Sequence, residues 1–571
     1  MSFRIRFRRF RLALVRLYYR VKYFPFARER QRNAGDGKRG FIVIQLDALS
    51  HDDLERAVRQ GWAPNIRRLL QRHGWQLRRY PAGLPSATPA AQAAIFYGTK
   101  DRIPAFRFYE RSLQRTIVCS RPADVQFVRD QLPESGILRN GSSYTNIFDG
   151  GAERAAFTFA ARRPQPVFEK MGGGRVALLA LLHPFRIVRM VLASLWDYLL
   201  EEWNRLISQF RGQSTHYWWY IPILHIGTNV VLRELQTLAV LLDIYLGVPA
   251  IYTTYNSYDE YGHHFGPTSR PALGSIRALD RRAGDILRMV RRLPGRPYDV
   301  WILSDHGQTP AVPYRVEFGE TLGDTIITVA RHGVAVAAST AALAPESGDA
   351  MDHLVRELEE VAAGSVHPAR RAMLRFARWL RSQYGLFPLL AEVVREASDA
   401  RIVVTYSSSL AHVYWTASPQ PLTHAAILSD PEHHALYQFL VAHRGIGLVI
   451  TRAAEGAIVA STRGRATISP VGEVTGVTGD DPLQDYAETA RERAEIVRLA
   501  RLDNAGDLVL FGAWDPQKNQ CICFDDQVGA HGAMGGAQYW PFILTPPGLI
   551  AADIEIGDPL DIHPLFARYA G

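Results

Sequence analysis

The chain of 571 residues has only three cysteines, Cys119, Cys521 and Cys523. An odd number cannot pair completely, and Cys521 and Cys523 sit one residue apart, a poor spacing for a mutual disulfide or a zinc knuckle. A disulfide scaffold is therefore excluded, and free thiols in a reducing compartment are the expected state. Also missing is an apolar run that could cross a bilayer. The aromatic-rich charge-free stretch at residues 212–232 carries Gln213, His216, Pro222, His225 and Asn229, too many polar groups for hydrocarbon. The start of the chain lacks the layout of a signal peptide, because Arg16 and Arg20 interrupt the apolar run from Leu12 to Val21 and no small-residue cleavage site follows. No internal repeat and no low-complexity segment is present. The expected location is cytoplasmic, at most peripheral to a membrane.

What is present is ordinary for a globular protein: 47% hydrophobic and 21% charged residues, in a chain long enough to build a large core without covalent staples. The net charge of +10 is uneven, with ten arginines and one lysine between Arg4 and Arg32 against a single acid, Glu29. Phe3, Phe7, Phe10, Leu14, Leu17, Val21 and Phe24 alternate at steps of four and three, which on a helix makes one apolar stripe with most arginines off it. Such a helix suits an anionic membrane surface, where each basic side chain contributes on the order of 1 kcal/mol. The alternative is that the stripe packs on the protein body. No nucleic-acid recognition module accompanies the arginines.

Short apolar runs at 40–47, 249–255, 298–304, 507–512 and 540–544 read as buried strands, and helical patterns at 52–72, 90–97, 271–293 and 484–501 lie between them. This alternation predicts an α/β layered fold with a largely parallel sheet, in which functional groups gather at the carboxyl ends of strands. The expected organisation is a basic helix and linker over 1–37 followed by one catalytic body over 38–571. Two helical insertions interrupt that body, at about 155–246 and 347–397. They are either packing helices or an apolar rim for a lipid tail.

Five fragments carry residues suited to binding cations and transferring phosphoryl groups. Asp47 ends the first strand in QLDALS. Ser86 and Thr88 offer hydroxyls in PSATPAAQAAIFYG, where Pro89 can begin a helix and so place the Thr88 hydroxyl at its phosphate-attracting N-terminus. Asp259 and His263 are four apart in YDEYGHHFGP, Asp305 and His306 are adjacent in LSDHGQT, and His531 stands among glycines in VGAHGAMGG. Singly, each has an ordinary structural explanation: a helix cap, a turn, a hydrogen-bonded histidine.

In this order the fragments resemble the alkaline phosphatase superfamily, most closely its type I phosphodiesterase and nucleotide pyrophosphatase branch. The resemblance implies an alkaline phosphatase-like three-layer sandwich and a pair of divalent cations, zinc by the nitrogen-plus-carboxylate donor set, with manganese as the alternative. It implies that Asp47, Thr88, Asp305 and His306 hold one ion and Asp259, His263 and His531 the other. It also marks Thr88, ten residues before Gly98, as the nucleophile, with Ser86 a turn hydrogen-bonder or alternative nucleophile. His264, next to the ligand position, is expected near the substrate. A departure is Ala91, where nucleotide pyrophosphatases have an asparagine that holds a phosphate oxygen. Gln92 is the candidate replacement, and Arg107 and Tyr109 in IPAFRFYER are further candidate substrate contacts. Sulfatases of this fold need a Cys or Ser followed by x-P-x-R, which neither CSRPA nor PSATP supplies.

The expected activity is a metal-dependent phosphoester hydrolase working through a phosphothreonine, on a membrane-associated phosphoester. A soluble nucleotide pyrophosphatase, and a non-catalytic membrane-surface binding protein that keeps the metal site, are the competing readings.

Overall fold

The computed structural model describes residues 37–160, 232–330 apart from 294, 336–338 and 401–569, with single positions within 10–30, at 188–199 and at 230. Most of the basic N-terminal segment, the insertion expected at 347–397 and much of the stretch 155–246 lie outside the described residues.

The central sheet has seven strands, ordered Gln76–Arg79, Phe542–Thr545, Tyr298–Leu303, Gly40–Leu46, Ala250–Tyr255, Ser142–Tyr144 and Arg154–Ala156. Its middle is parallel: Gly40–Leu46 runs alongside both Tyr298–Leu303 and Ala250–Tyr255. The side carrying Phe542–Thr545 and Gln76–Arg79 is antiparallel. Side chains alternate across each strand, so one strand feeds two cores. Ile42, Ile44 and Leu46 join a core with the helices Pro64–His73, Arg233–Leu246 and Arg270–Arg292. Phe41 and Val43 join a second core, with Phe96, Val125 and Phe566, on the other face. Burial on both faces explains why these strands read as unbroken apolar runs.

The helix expected over 52–72 is two helices, His51–Arg59 and Pro64–His73. Gly61 between them takes φ +80°, and Pro64 cannot continue a preceding turn. The helix expected from 484 begins at Ala490, where Thr489 and Glu492 form a capping box. The strand expected at 507–512 is real but belongs elsewhere. Leu508–Gly512 is the fourth strand of a separate eight-stranded sheet, whose first strand pair is parallel and whose other pairs are antiparallel. A four-stranded sheet built from Trp514–Asp515, Gln520–Cys523, Thr309–Pro313 and Gly529–Ala530 carries the chain between the two.

A buried ion cluster ties the two larger sheets together. Lys100, 1% exposed, lies 2.8 Å from Glu495 and also pairs with Asp558. Glu495 sits on the helix Ala490–Arg501, which packs on the eight-stranded sheet, and accepts the Leu84 amide at 3.0 Å. Burial alone would raise the Glu495 carboxyl, but Lys100 and Arg498 hold it well below the usual carboxylate range. Because Leu84 immediately precedes the PSATP turn, this cluster fixes one approach to the Thr88 hydroxyl. Lys100→Ala leaves two buried carboxylates short of their counter-charge, and it is expected to destabilise the fold by about 3–5 kcal/mol, read by urea unfolding.

Candidate metal centre

Three adjacent parallel strands end at the same edge, and each delivers a carboxylate there. Asp47 follows Gly40–Leu46 directly, Asp305 follows Tyr298–Leu303 after one residue, and Asp259 lies in the helix Ser257–Phe265 that begins just after Ala250–Tyr255. A four-residue separation on that helix sets His263 on the same face as Asp259. His531 arrives from the four-stranded sheet, just after Gly529–Ala530.

The donor atoms form two groups, Asp47 with Asp305 and His306, and Asp259 with His263 and His531, each with its ligand atoms within 4.8 Å of one another. The groups adjoin: the His531 ring stacks on His306 at 4.2 Å between centroids and lies 5.0 Å from His263. All six residues are buried.

The tautomers of the three histidines follow from their partners. His263 Nδ1 meets the Gly529 carbonyl at 2.8 Å, His306 Nδ1 the Gly307 carbonyl at 3.0 Å, and His531 Nδ1 the Ser86 carbonyl at 3.1 Å. A carbonyl oxygen can only accept, so each Nδ1 carries the hydrogen, and in the neutral ring each Nε2 is a bare lone pair. His306 Nε2 then faces Asp305 Oδ2 at 3.6 Å, lone pair to lone pair, and Asp305 Oδ2 is buried without a hydrogen-bond partner among the described residues. Two acceptors facing each other out of water call for a cation between them. The electrostatics agree. Burial, then Asp305 and Asp259, push the Asp47 carboxyl well up. Burial also opposes the charge of Asp259, but His263, His531 and His306 outweigh it and bring that carboxyl down. Burial and the neighbouring His306 push His531 well down. The donor set fits a pair of divalent cations of borderline softness.

Thr88 is the first residue of the helix Thr88–Tyr97, which Gly98 closes in the left-handed conformation. Its Oγ1 is 3.2 Å from Asp47 Oδ1 and 3.2 Å from His306 Nε2. Among the candidate residues gathered here Thr88 alone keeps intermediate exposure, as a group that must reach a substrate requires. Ser86 has no such freedom. It is fully buried, its hydroxyl donates to the Ala533 carbonyl at 2.8 Å and accepts from the Gly532 amide at 2.9 Å.

The candidate substrate contacts lie differently. Gln92 is fully buried, its Oε1 accepting from the Ile147 amide at 2.8 Å and its Nε2 directed at Asn146 and Thr254. The amide thus supports the sheet behind Asp47 rather than facing a ligand. Arg107 is buried and binds Asp525 at 3.2 Å and the Tyr406 carbonyl at 3.1 Å. Tyr109 is 3% exposed and packs against Tyr414. Both belong to the strand Arg107–Glu110, which leans on the eight-stranded sheet. His264 is exposed beside His263. The sequence reading passed over Ser408 and Ser409, which hold the backbone of His531: Ser408 Oγ accepts its amide at 3.2 Å, and Ser409 Oγ donates to its carbonyl at 2.7 Å. Nothing in a run of three serines announces that role.

Residues 187–385 match the family model described as type I phosphodiesterase / nucleotide pyrophosphatase. That span, about a third of the chain, contains Asp259, His263, Asp305 and His306. Over that span the chain is similar to this family. The match indicates a phosphoester hydrolase. No curated protein matches it. Similar solved structures include a phosphonoacetate hydrolase from Sinorhizobium meliloti 1021 in complex with phosphonoformate, 13% identical, covering 94% of this chain and 96% of that one with a TM-score of 0.43. Another is a murine ectonucleotide pyrophosphatase / phosphodiesterase 5, 12% identical, covering 93% of this chain and 94% of that one with a TM-score of 0.42.

Ser86→Ala removes the staple between the Thr88 turn and the His531 loop. It is expected to cost about 1–3 kcal/mol, read by urea unfolding, while turnover of a nitrophenyl phosphoester persists at a reduced rate. Turnover abolished in a well-folded Ser86→Ala protein would return the nucleophile role to Ser86.

Proposed function

We propose that this hydrolase cleaves phosphoesters with Thr88 as a covalent nucleophile between two divalent cations. Asp47, Thr88, Asp305 and His306 hold one, and Asp259, His263 and His531 the other. The observation that carries the reading is the convergence of three Nε2 lone pairs and three buried carboxylates beside one partly exposed hydroxyl. When bound, such cations neutralise charge on the attacking and leaving oxygens and lower the pKa of a hydroxyl they touch. Thr88 Oγ1 forms the new bond to phosphorus as the bond to the leaving oxygen breaks, and water then releases the phosphoryl group from the threonine. The helix N-terminus beneath Thr88 directs amide groups at the incoming phosphate. Zinc is the expected metal, and manganese the alternative.

Two experiments test this. Thr88→Ala should lose turnover of nitrophenyl mono- or diesters by several orders of magnitude, as removal of a covalent nucleophile does, yet keep its metal content. Dialysis against a chelator should abolish activity and lower the unfolding temperature, since ions that bind only the folded state stabilise it. Readdition of zinc or manganese should restore both. Normal turnover by Thr88→Ala, or full activity of metal-stripped protein, ends the proposal.

For the substrate, a membrane-borne phosphoester is the reading we favour over a soluble nucleotide. Ala91 stands where an asparagine would hold a nucleotide phosphate. In addition, Phe10, Leu14, Leu17, Val21 and Phe24, the described members of the N-terminal apolar stripe, are between 49% and 75% exposed, while Tyr23 is buried and stacks on Tyr245 at 5.0 Å. One side of this segment is thus tied to the body and its apolar stripe is turned outward, flanked in sequence by arginines. Wild-type protein should sediment with phosphatidylserine-containing vesicles at low salt, and Leu14→Asp/Leu17→Asp should not. Equal sedimentation of the two proteins would remove the helix as the anchor.

A further inference from the structure

Gln308 follows the S-D-H-G segment directly, yet its side chain reaches across to the other group of donors. Its Nε2 donates to Asp259 Oδ1 at 2.5 Å and to the Asp259 main-chain carbonyl at 3.0 Å. Both neighbours are acceptors, which fixes the orientation of the amide: turned over, it would oppose oxygen to oxygen. Gln308 is fully buried, and its Oε1 has no hydrogen-bond partner among the described residues. A buried acceptor left unpaired calls for an explanation.

The space around the amide is shaped for it. A Cβ on Gly262 would overlap the Gln308 carboxamide, and one on Gly529 would lie 2.7 Å from its Oε1. The backbone of Gly262 has ordinary helical conformation, so the glycine is needed for close approach and not for a positive φ. The two fragments that looked independent in the sequence are therefore interlocked: Gly262 of one makes room for Gln308 of the other, and Gln308 holds the carboxylate three residues before that glycine.

We propose that Gln308 is a positioning residue that restricts Asp259 to ligation through a single oxygen, and thereby sets the affinity and metal preference of the Asp259–His263–His531 group. This rests on the reading of those residues as cation ligands. With one lone pair of Oδ1 engaged by the amide hydrogen, and Oδ1 also 3.3 Å from His263 Nε2, Asp259 is held to one orientation toward the ion. One carboxylate oxygen with two imidazole nitrogens leaves the low coordination number that zinc accepts. A larger oxygen-seeking ion gains from a carboxylate free to use both oxygens.

The test is titration of chelator-stripped full-length protein with zinc alone and with manganese alone, against a competing chromophoric chelator, so that two binding constants are resolved for each metal. Gln308→Met, of similar length but without the donor, should weaken one of the two zinc sites by about 10–100-fold and leave the other unchanged, with a smaller loss for manganese at the same site. Gly262→Ala should weaken the same site by displacing the amide. Placed on a Gln308→Ala background, where nothing remains to displace, Gly262→Ala should have no further effect. Unfolding of the metal-free variants controls for damage to the fold, and should Gln308→Met prove insoluble, the Gly262→Ala and double-variant pair decides by itself. Two wild-type zinc sites that Gln308→Met leaves untouched, an equal loss at both sites or for both metals, or additive Gly262→Ala and Gln308→Ala effects would overturn the proposal. A wild-type protein that takes up neither metal would overturn the proposed function and this inference together.

Discussion

Three carboxylates and three imidazoles are held out of water here with their lone pairs converging, and that arrangement is unfavourable until positive charge enters it. Asp47 shows the strain in its raised carboxyl pKa, caused first by burial and then by Asp305 and Asp259. The imidazoles offer it no hydrogen from Nδ1, because each spends that one on a backbone carbonyl. Much of the surrounding structure makes sense as a frame rigid enough to bear this crowding. Three parallel strands set the carboxylates at one edge, the Lys100–Glu495–Asp558 cluster pins the turn before Thr88, and Ser86, Ser408 and Ser409 fix the loop of His531. The cost of assembling such a group is met by packing elsewhere.

The fold was legible where local chemistry and global structure agree. Strands buried on both faces are apolar throughout, so Gly40–Leu46, Ala250–Tyr255 and Tyr298–Leu303 could be found from their runs alone, and a carboxylate at the end of each pointed to the site. The eight-stranded sheet was not legible. Several of its strands, such as Val474–Gly479 with six exposed residues, carry little apolar signal, and Leu508–Gly512 looks like any core strand until its partners are known. The break near Gly61 was missed because Trp62 and Ile66 continue the helical periodicity across it.

The donor residues were legible as an ordered set of short fragments, although no single fragment was convincing. The substrate contacts were not. Gln92, Arg107 and Tyr109 are near the nucleophile in sequence, but nearness along the chain does not decide which way a side chain points, and each is satisfied by partners far away in sequence: Ile147 and Thr254, Asp525, Tyr414. Gln308 is the converse case. It stands next to a recognised motif and passes for filler, because its meaning depends on the absent Cβ of Gly262.

The donors enter the chain in an unequal order. A nascent polypeptide possesses Asp47, Thr88, Asp305 and His306 once His306 has been added, whereas the partner group waits for His531. His531 in turn is seated by Ser408 and Ser409 on a hairpin of the eight-stranded sheet. The second group therefore cannot assemble until that sheet has docked. Its completion therefore reports that the eight-stranded sheet is in place.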